Sequence, residues 1–299
     1  MRPPRAATAH PVRTLALTLL ALNAFAANSV LTRMALGHAS IDASSFATIR
    51  VVSGAAALLL VSSLKRRTDG PVFRGSWASA LMLFSYAVPF SFAYLSLSTG
   101  TGALILFGMV QVTMILAALA SGERPHAWQW AGLLLAFAGL VYLVFPGITA
   151  PSPIGSLLMA VAGISWGLYS LRGRSATRPL ADTTGNFARA VPLVLGVSLA
   201  ARSQVSLSGP GILLAILSGA LASGLGYAIW YAALRGLTRT RAATVQLSVP
   251  VLAALGGVLF LSEGVSLRLV LSAMLILGGV GIAIVSKERV IPQTVTVPR

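Results

Sequence analysis

Apolar residues, read against charges, prolines and glycines, divide the 299-residue chain into ten runs. They lie near residues 14–32, 43–63, 77–97, 101–121 and 127–145, then 154–171, 183–200, 211–233, 242–261 and 267–286. An α-helix needs about 20 mostly apolar residues to cross a bilayer, and most of these runs meet that length. The links between them are too short to fold as domains of their own. The expected fold is therefore an all-α integral membrane protein of ten transmembrane helices.

Composition strengthens this reading. The chain is 56% hydrophobic and 9% charged, with a mean hydropathy of +0.86. Soluble proteins carry roughly 25% charged residues, so this chain has too few to cover a water-facing surface. A net charge of +16 would point to nucleic acid in a soluble protein. Here the basic residues sit in the links, where they act as orientation signals, and nucleic acid is not expected as a partner. The lipid bilayer is. There is no cysteine, which removes disulfides, thiolate metal sites and cysteine nucleophiles. No metal and no cofactor is expected.

Positively charged links stay cytoplasmic. Seventeen Lys and Arg fall on one side, among them Arg2, Arg5 and Arg13, Lys65 to Arg67, Arg74, Arg124, Arg172, Arg174 and Arg178. Only Arg33, Arg202 and Arg268 fall on the other. Both termini are thus expected in the cytoplasm, with the protein in the inner or plasma membrane. Arg50 and Arg189 lie inside runs two and seven. The N-terminus also offers a competing signal-peptide reading, with Ala24, Phe25 and Ala26 resembling a cleavage site. The apolar run continues past it to Leu31, and "AFAANSVLTR" can be laid on "SWGLYSLRGR", so retention as a first span is expected.

The second comparison implies a repeat. At an offset of 140, Ala103, Leu119, Glu123, Leu135 and Gly139 fall on Ala243, Leu259, Glu263, Leu275 and Gly279. A chain this rich in Leu and Ala gives a few such identities by composition, so the pattern matters more. In both halves a span ends at a glutamate, a short link follows, and the next span carries small residues (Gly132, Ala136, Gly139; Ser272, Gly278, Gly279). The expected organisation is a tail over 1–13, a first five-span repeat over 14–146, a second over 147–286 and a tail over 287–299. Five crossings per copy make the copies antiparallel, the arrangement that secondary transporters use to open one site alternately to either face.

The stretch "YAALRGLTRTRAATVQLSVPVLAALGGVLFLSE" resembles the second-half signature of the drug/metabolite transporter superfamily, EamA branch. Its features are an aromatic-Ala-Leu start, an Ala-rich turn, a Pro-containing apolar helix and a terminal Glu. "AYLSLSTGTGALILFGMVQVTMILAALASGE" is similar to a degenerate first copy, with Val110 where a proline is common. The resemblance spans about residues 15 to 286. It implies a carrier that exports amino acids, aromatic and neutral ones included, or similar small metabolites. A multidrug or nucleotide-sugar carrier is the alternative within transport, and a membrane enzyme or assembly factor the alternative outside it.

The polar residues narrow the chemistry. All six acids and all three histidines lie in links, in tails or at span ends. A hydrolase would need an acid pair, a Ser/His pair or metal ligands facing one cavity, so no catalytic residue is expected and the protein is read as a transporter, not an enzyme. Proton antiporters place a titratable group at membrane depth. Its absence favours a facilitator or exchanger. Glu123 and Glu263 are expected to cap the following helix or to pair with a nearby arginine such as Arg124. Arg50 and Arg189 either snorkel to the interfaces or attract a substrate carboxylate. Aromatic stripes in lipid either pack helices and form interfacial belts or, with Tyr86, Trp166, Tyr169, Tyr227, Trp230 and Gln246, line a midplane cavity suited to a small amphiphile. Pro89, Pro192 and Pro250 are hinge candidates within spans. The choice between monomer and homodimer is open.

Overall fold

A computed structural model describes residues 11–64, 74–120, 127–147, 150–173, 176–234, 236–237 and 245–285. The described chain is helical, with one isolated two-residue bridge between Ile41 and Leu207. In order, the long helices are α1 (Pro11–Gly37), α2 (Ala43–Leu64), α3 (Trp77–Ala93), α4 (Thr99–Ala120) and α5 (Ala127–Val144). They continue as α6 (Pro153–Gly173), α7 (Pro179–Ala200), α8 (Gly209–Leu234), α9 (Ser248–Leu261) and α10 (Leu267–Val285). Six are long and apolar enough to cross a membrane: α1, α2, α4, α5, α6 and α8. The chain is a multi-pass membrane protein.

Local sequence explains where these helices start. Ser76, Ser152 and Ser208 each stand before a helix and accept a first-turn amide, from Ser79, Gly155 and Gly211 at 3.1–3.2 Å. Asp42 does the same for α2, accepting from the Ser45 amide at 2.9 Å. These bonds satisfy donors that a helix start leaves open. Pro153, Pro179 and Pro210 sit in first turns, where a missing amide is harmless. Helix α7 begins at Pro179, one turn before the expected 183, and so includes Asp182 and Thr183.

One helix departs from regularity. Within α8, residues Leu217–Leu225 form a π-helical segment of nine residues. Such widened turns occur often at functional sites. Nothing in the apolar pattern announces it. Of the hinge candidates, Pro89 and Pro192 are interior to α3 and α7. Pro250 instead lies in the first turn of α9, and the helical run is broken at Leu247, within a turn before it.

The packing of the helices has a regular exchange in it. Helix α3 packs on α6 and α7, and α8, five places on, packs on α1 and α2. Helix α4 packs on α6, and α9 on α1. The remaining large contacts pair helices five apart: α2 with α7, α4 with α9 and α5 with α10. Polar links follow the same exchange. Ser62 bonds Thr184 at 2.9 Å at one end of the α2–α7 pair, and Thr48 bonds Ser198 at 2.7 Å at the other. The small residues Gly132, Ala136, Gly139 and Gly279 make the α5–α10 contact, where a Cβ on Gly132 or Gly279 would meet the facing backbone. Gly163 and Gly167 bring α6 against α4 in the same way. Gly278 faces open space.

The bundle has two distinguishable ends. The near end, where α1 starts, also holds the ends of α6 and α8 and the starts of α3 and α7: Gly236 lies against Thr14, and Gly173 against Tyr231. The far end gathers the ends of α1, α3 and α9 and the start of α4.

Candidate substrate site

The far end is shut by charge and backbone capping. After α9, Ser262 adopts a left-handed conformation (φ 53°) and the Glu263 amide closes on Gly257 at 3.1 Å. This turn aims the Glu263 carboxylate across the bundle at the first amide of α4, Thr99, with N–O distances of 2.8 and 3.1 Å. Arg33 completes the latch. Its Nε lies 3.3 Å from Glu263, and its Nη1 donates to the Tyr94 carbonyl at 2.9 Å. Glu263 therefore caps a helix of the first half and pairs with an arginine on α1, which corrects the expectation of the next helix and a nearby partner. Glu123 and Arg124 lie outside the described residues.

A second clamp closes the far end beside it. Asp42 accepts from the Ser44 hydroxyl at 2.5 Å and from the Ser206 amide at 3.0 Å, while its own amide donates to the Ser206 carbonyl at 2.9 Å. Burial by itself would raise its pKa. The donors of Ser44, Ser45 and Ser206 outweigh burial and hold the carboxyl below its ordinary 3.8. For an acid with a lowered folded value, the stabilisation is present above 3.8 and is lost as pH falls below it. The clamp is thus expected to hold unchanged between about pH 5 and 8. Far-end accessibility measured by thiol labelling across that range checks this; opening centred near neutrality would contradict it.

The near end is open. A vestibule of about 660 Å³ enters between α3, α6 and α7, lined by Arg74, Ser79, Tyr169, Arg172, Asp182, Asn186, Arg189 and Tyr231, among others. Its wall mirrors the far-end clamp. Asp182 in the first turn of α7 accepts from the Gly75 amide at 3.2 Å and lies 3.6 Å from Arg74, as Asp42 holds the α7–α8 link. Arg189 donates to the Arg74 and Gly185 carbonyls. Arg172 donates to Ser79 at 3.1 Å. Tyr169, at the vestibule's inner wall, accepts from Asn186 at 3.3 Å.

Between the two ends the aromatic rings meet. Trp166 is their hub, with ring centroids 4.6 Å from Tyr227, 5.1 Å from Tyr86, 5.6 Å from Tyr169 and 6.1 Å from Phe25. Tilted and edge-on ring pairs at such spacings are favourable beyond their burial. They enclose a central chamber of about 10 Å³, lined by Phe25, Asn28, Ser29, Tyr86, Phe90, Trp166 and Tyr227 with Leu106 and Phe107. That volume holds about one water. Of the residues expected in a midplane cavity, Tyr86, Trp166 and Tyr227 line this chamber. Tyr169 and Arg189 line the vestibule. Trp230 stands one layer behind, edge-on to Phe25 at 5.7 Å. Gln246 is buried just before α9 and lines neither space.

Arg50 does not snorkel. It is 1% exposed, and its guanidinium lies 5.0 and 4.7 Å from the ring centroids of Tyr86 and Phe90. Its Nη2 donates to the Tyr86 hydroxyl at 2.8 Å and its Nε to Ser223 in the π-helical segment at 3.2 Å. The Tyr86 oxygen accepts a second bond from Asn28 at 3.1 Å, and Asn28 in turn accepts from Ser218 at 2.6 Å. Ser218 and Ser223 were not singled out by their positions in the sequence, and Phe25 stood out as part of a cleavage-like motif rather than of a site. Two serines in the apolar α8 run are a weak signal, and only the widened turn aims them inward.

The comparisons with known proteins bear on this arrangement. A model of the EamA-like transporter family matches residues 153–285. Protein PA1977 of Pseudomonas aeruginosa is 52% identical over 270 residues, covering 90% of this chain and 94% of that one. A probable amino-acid metabolite efflux pump of Escherichia coli is 25% identical over 222 residues, 66% of this chain and 74% of that one. The chain belongs to the EamA-like transporter family. The transporter YoaV of Bacillus subtilis, at 21% over 210 residues, spans 68% of this chain and 72% of its own. One crystal structure shares the fold, with a TM-score of 0.65 at 21% identity over 92% of this chain and 98% of that one. As a member of the EamA-like family the protein is a membrane transporter.

Proposed function

We propose that the protein exports amino acids, aromatic and neutral ones in particular, or similar small metabolites, by alternating access between two inverted five-helix repeats. The observation that carries the reading is the asymmetry of matched parts. Asp42 and Asp182 lie at the starts of α2 and α7, 140 residues apart, and each holds a backbone amide from the other half. At the far end the matched region is sealed; at the near end it opens into the vestibule. Arg50 and Arg189 differ likewise, one shut in the core and one on the vestibule wall. Two antiparallel copies in unequal states are what a rocking carrier requires, because exchanging the states reverses the opening. The exchanged helix contacts support the same symmetry.

The excess of Lys and Arg in the near-end links supports a cytoplasmic near end, with both termini on that side of an inner or plasma membrane and this state opening inward. The described acids Asp42, Asp182 and Glu263 all lie near helix ends and face backbone amides. This favours a facilitator or exchanger over a proton antiporter. The Escherichia coli relative's name supports amino-acid metabolites as cargo. Purified protein in liposomes loaded with phenylalanine tests the proposal: labelled phenylalanine should exchange across the bilayer at rates above protein-free vesicles and independent of an imposed pH gradient. Rates equal to the protein-free control would refute export of amino acids, and a strong pH-driven response would refute the facilitator mode.

A further inference from the structure

We infer that Arg50 is the carboxylate anchor of the central chamber, so that the cargo is a carboxylate with an apolar body and not a lipophilic cation. The inference rests on the transporter reading above and deepens it. A guanidinium remains charged at any biological pH, so burial must be answered by partners. Arg50 does not itself line the chamber but contacts Tyr86 and Phe90, which do; among the described residues no carboxylate pairs with it, and its partners are the hydroxyls of Tyr86 and Ser223 and two ring faces, with Tyr227 close by.

Counting donors against acceptors around it shows what is missing. Arg50 Nη1 and the hydroxyl of Tyr227 are buried without a well-aligned hydrogen bond, although the two groups lie close to one another. The Tyr86 oxygen already takes two donors, one from Arg50 and one from Asn28. The Asn28 oxygen is occupied by Ser218, and Ser223 receives Arg50 Nε. The cluster holds a fixed cation with no anion, and the acceptors left over, such as the Tyr227 oxygen, make no well-aligned bond to Arg50 Nη1, whereas buried charges are ordinarily paired. A carboxylate brings two oxygens with about four acceptor sites and the charge that Arg50 lacks. An ammonium brings only donors and would face a fixed cation in a poorly screened interior.

The surroundings fit the rest of such a molecule. Phe25, Trp166 and Phe107 give the chamber apolar walls. Entry requires the rings to part, since the chamber as it stands is too small for more than a water. The vestibule that leads to it carries Arg74, Arg172 and Arg189 against Asp182, a balance that draws anions inward.

Competition on the full-length protein in liposomes tests the inference, with phenylalanine exchange as readout and 3-phenylpropionate, phenylpyruvate and phenethylamine as competitors. The two carboxylates should compete and the amine should be about 100-fold weaker. Arg50→Gln should weaken the carboxylates by about 100-fold and abolish the preference over the amine, while Arg50→Lys should retain part of it. If Arg50→Gln fails to fold, Tyr227→Phe removes the second unmatched donor and should weaken the carboxylates about tenfold with no change for the amine. Should no label exchange at all, the transporter reading fails separately. The anchor is then read from thermal stabilisation of the same protein by 3-phenylpropionate over phenethylamine. An amine that competes or stabilises as well as the carboxylates, or a folded Arg50→Gln that keeps the preference, would overturn the inference and leave the unmatched donors to bound water.

Discussion

Glu263→Gln should unlatch the far end and shift the carrier toward its outward-open state. The carboxylate joins three helices at once, since it caps the first amide of α4, pairs with Arg33 on α1 and is itself held by the end of α9. The amide keeps the shape and loses the charge. Hydrogen bonds to a charged group contribute about 1.5–3 kcal/mol, so losing that charge shifts a two-state equilibrium by roughly 10- to 150-fold. The natural absence of cysteine makes the measurement direct. Ser29→Cys places a thiol in the central chamber, where residue 29 is 1% exposed. An impermeant maleimide added from the far side should label it slowly alone and at least tenfold faster with Glu263→Gln. Equal rates would mean that the ion pair does not hold the gate.

Trp166→Ala should cost both stability and transport. The indole touches four rings that come from α1, α3, α6 and α8, so its removal leaves a cavity at the bundle's centre and joins chamber to vestibule. Truncating a buried Trp costs about 3–5 kcal/mol. Exchange should fall at least tenfold, because a site that no longer shuts gives up the occlusion that commits the substrate. Trp166→Phe preserves most of the packing and should lie between. Folded protein confirmed by its melting transition, with exchange as fast as the parent, would remove Trp166 from the site.

The helices were largely legible because bilayer length and link charge are written in composition; their starts were less so, since Ser76, Ser208 and Asp42 show themselves as caps only through their bonds to first-turn amides. The partners were not. Glu263 and Arg33 are 230 residues apart, and only the turn at Ser262 and the packing of α1 between α8 and α9 bring them together. Arg50 looked free to snorkel because its depth along α2 is shallow, yet rotation of the helix aims it at Tyr86 and away from the interface. Gln246 looked central by its place in an apolar run, but α9 starts only at Ser248, which leaves it at the near end. Of the aromatic residues, Tyr86, Trp166 and Tyr227 meet around the chamber while Tyr169 and Trp230 stand outside it, and the ring contacts that narrow the chamber to a water's width are set by side-chain packing that spacing along the chain does not report.

In an alternating-access carrier one chamber is reached in turn from both faces. The same Ser29→Cys protein, labelled from either side in right-side-out and inside-out vesicles, tests it most directly. Labelling is expected from both faces, slowed from both by phenylalanine, with vesicles that stay sealed to ions throughout. Labelling confined to one face whatever is added, or a continuous leak through the chamber, would contradict it.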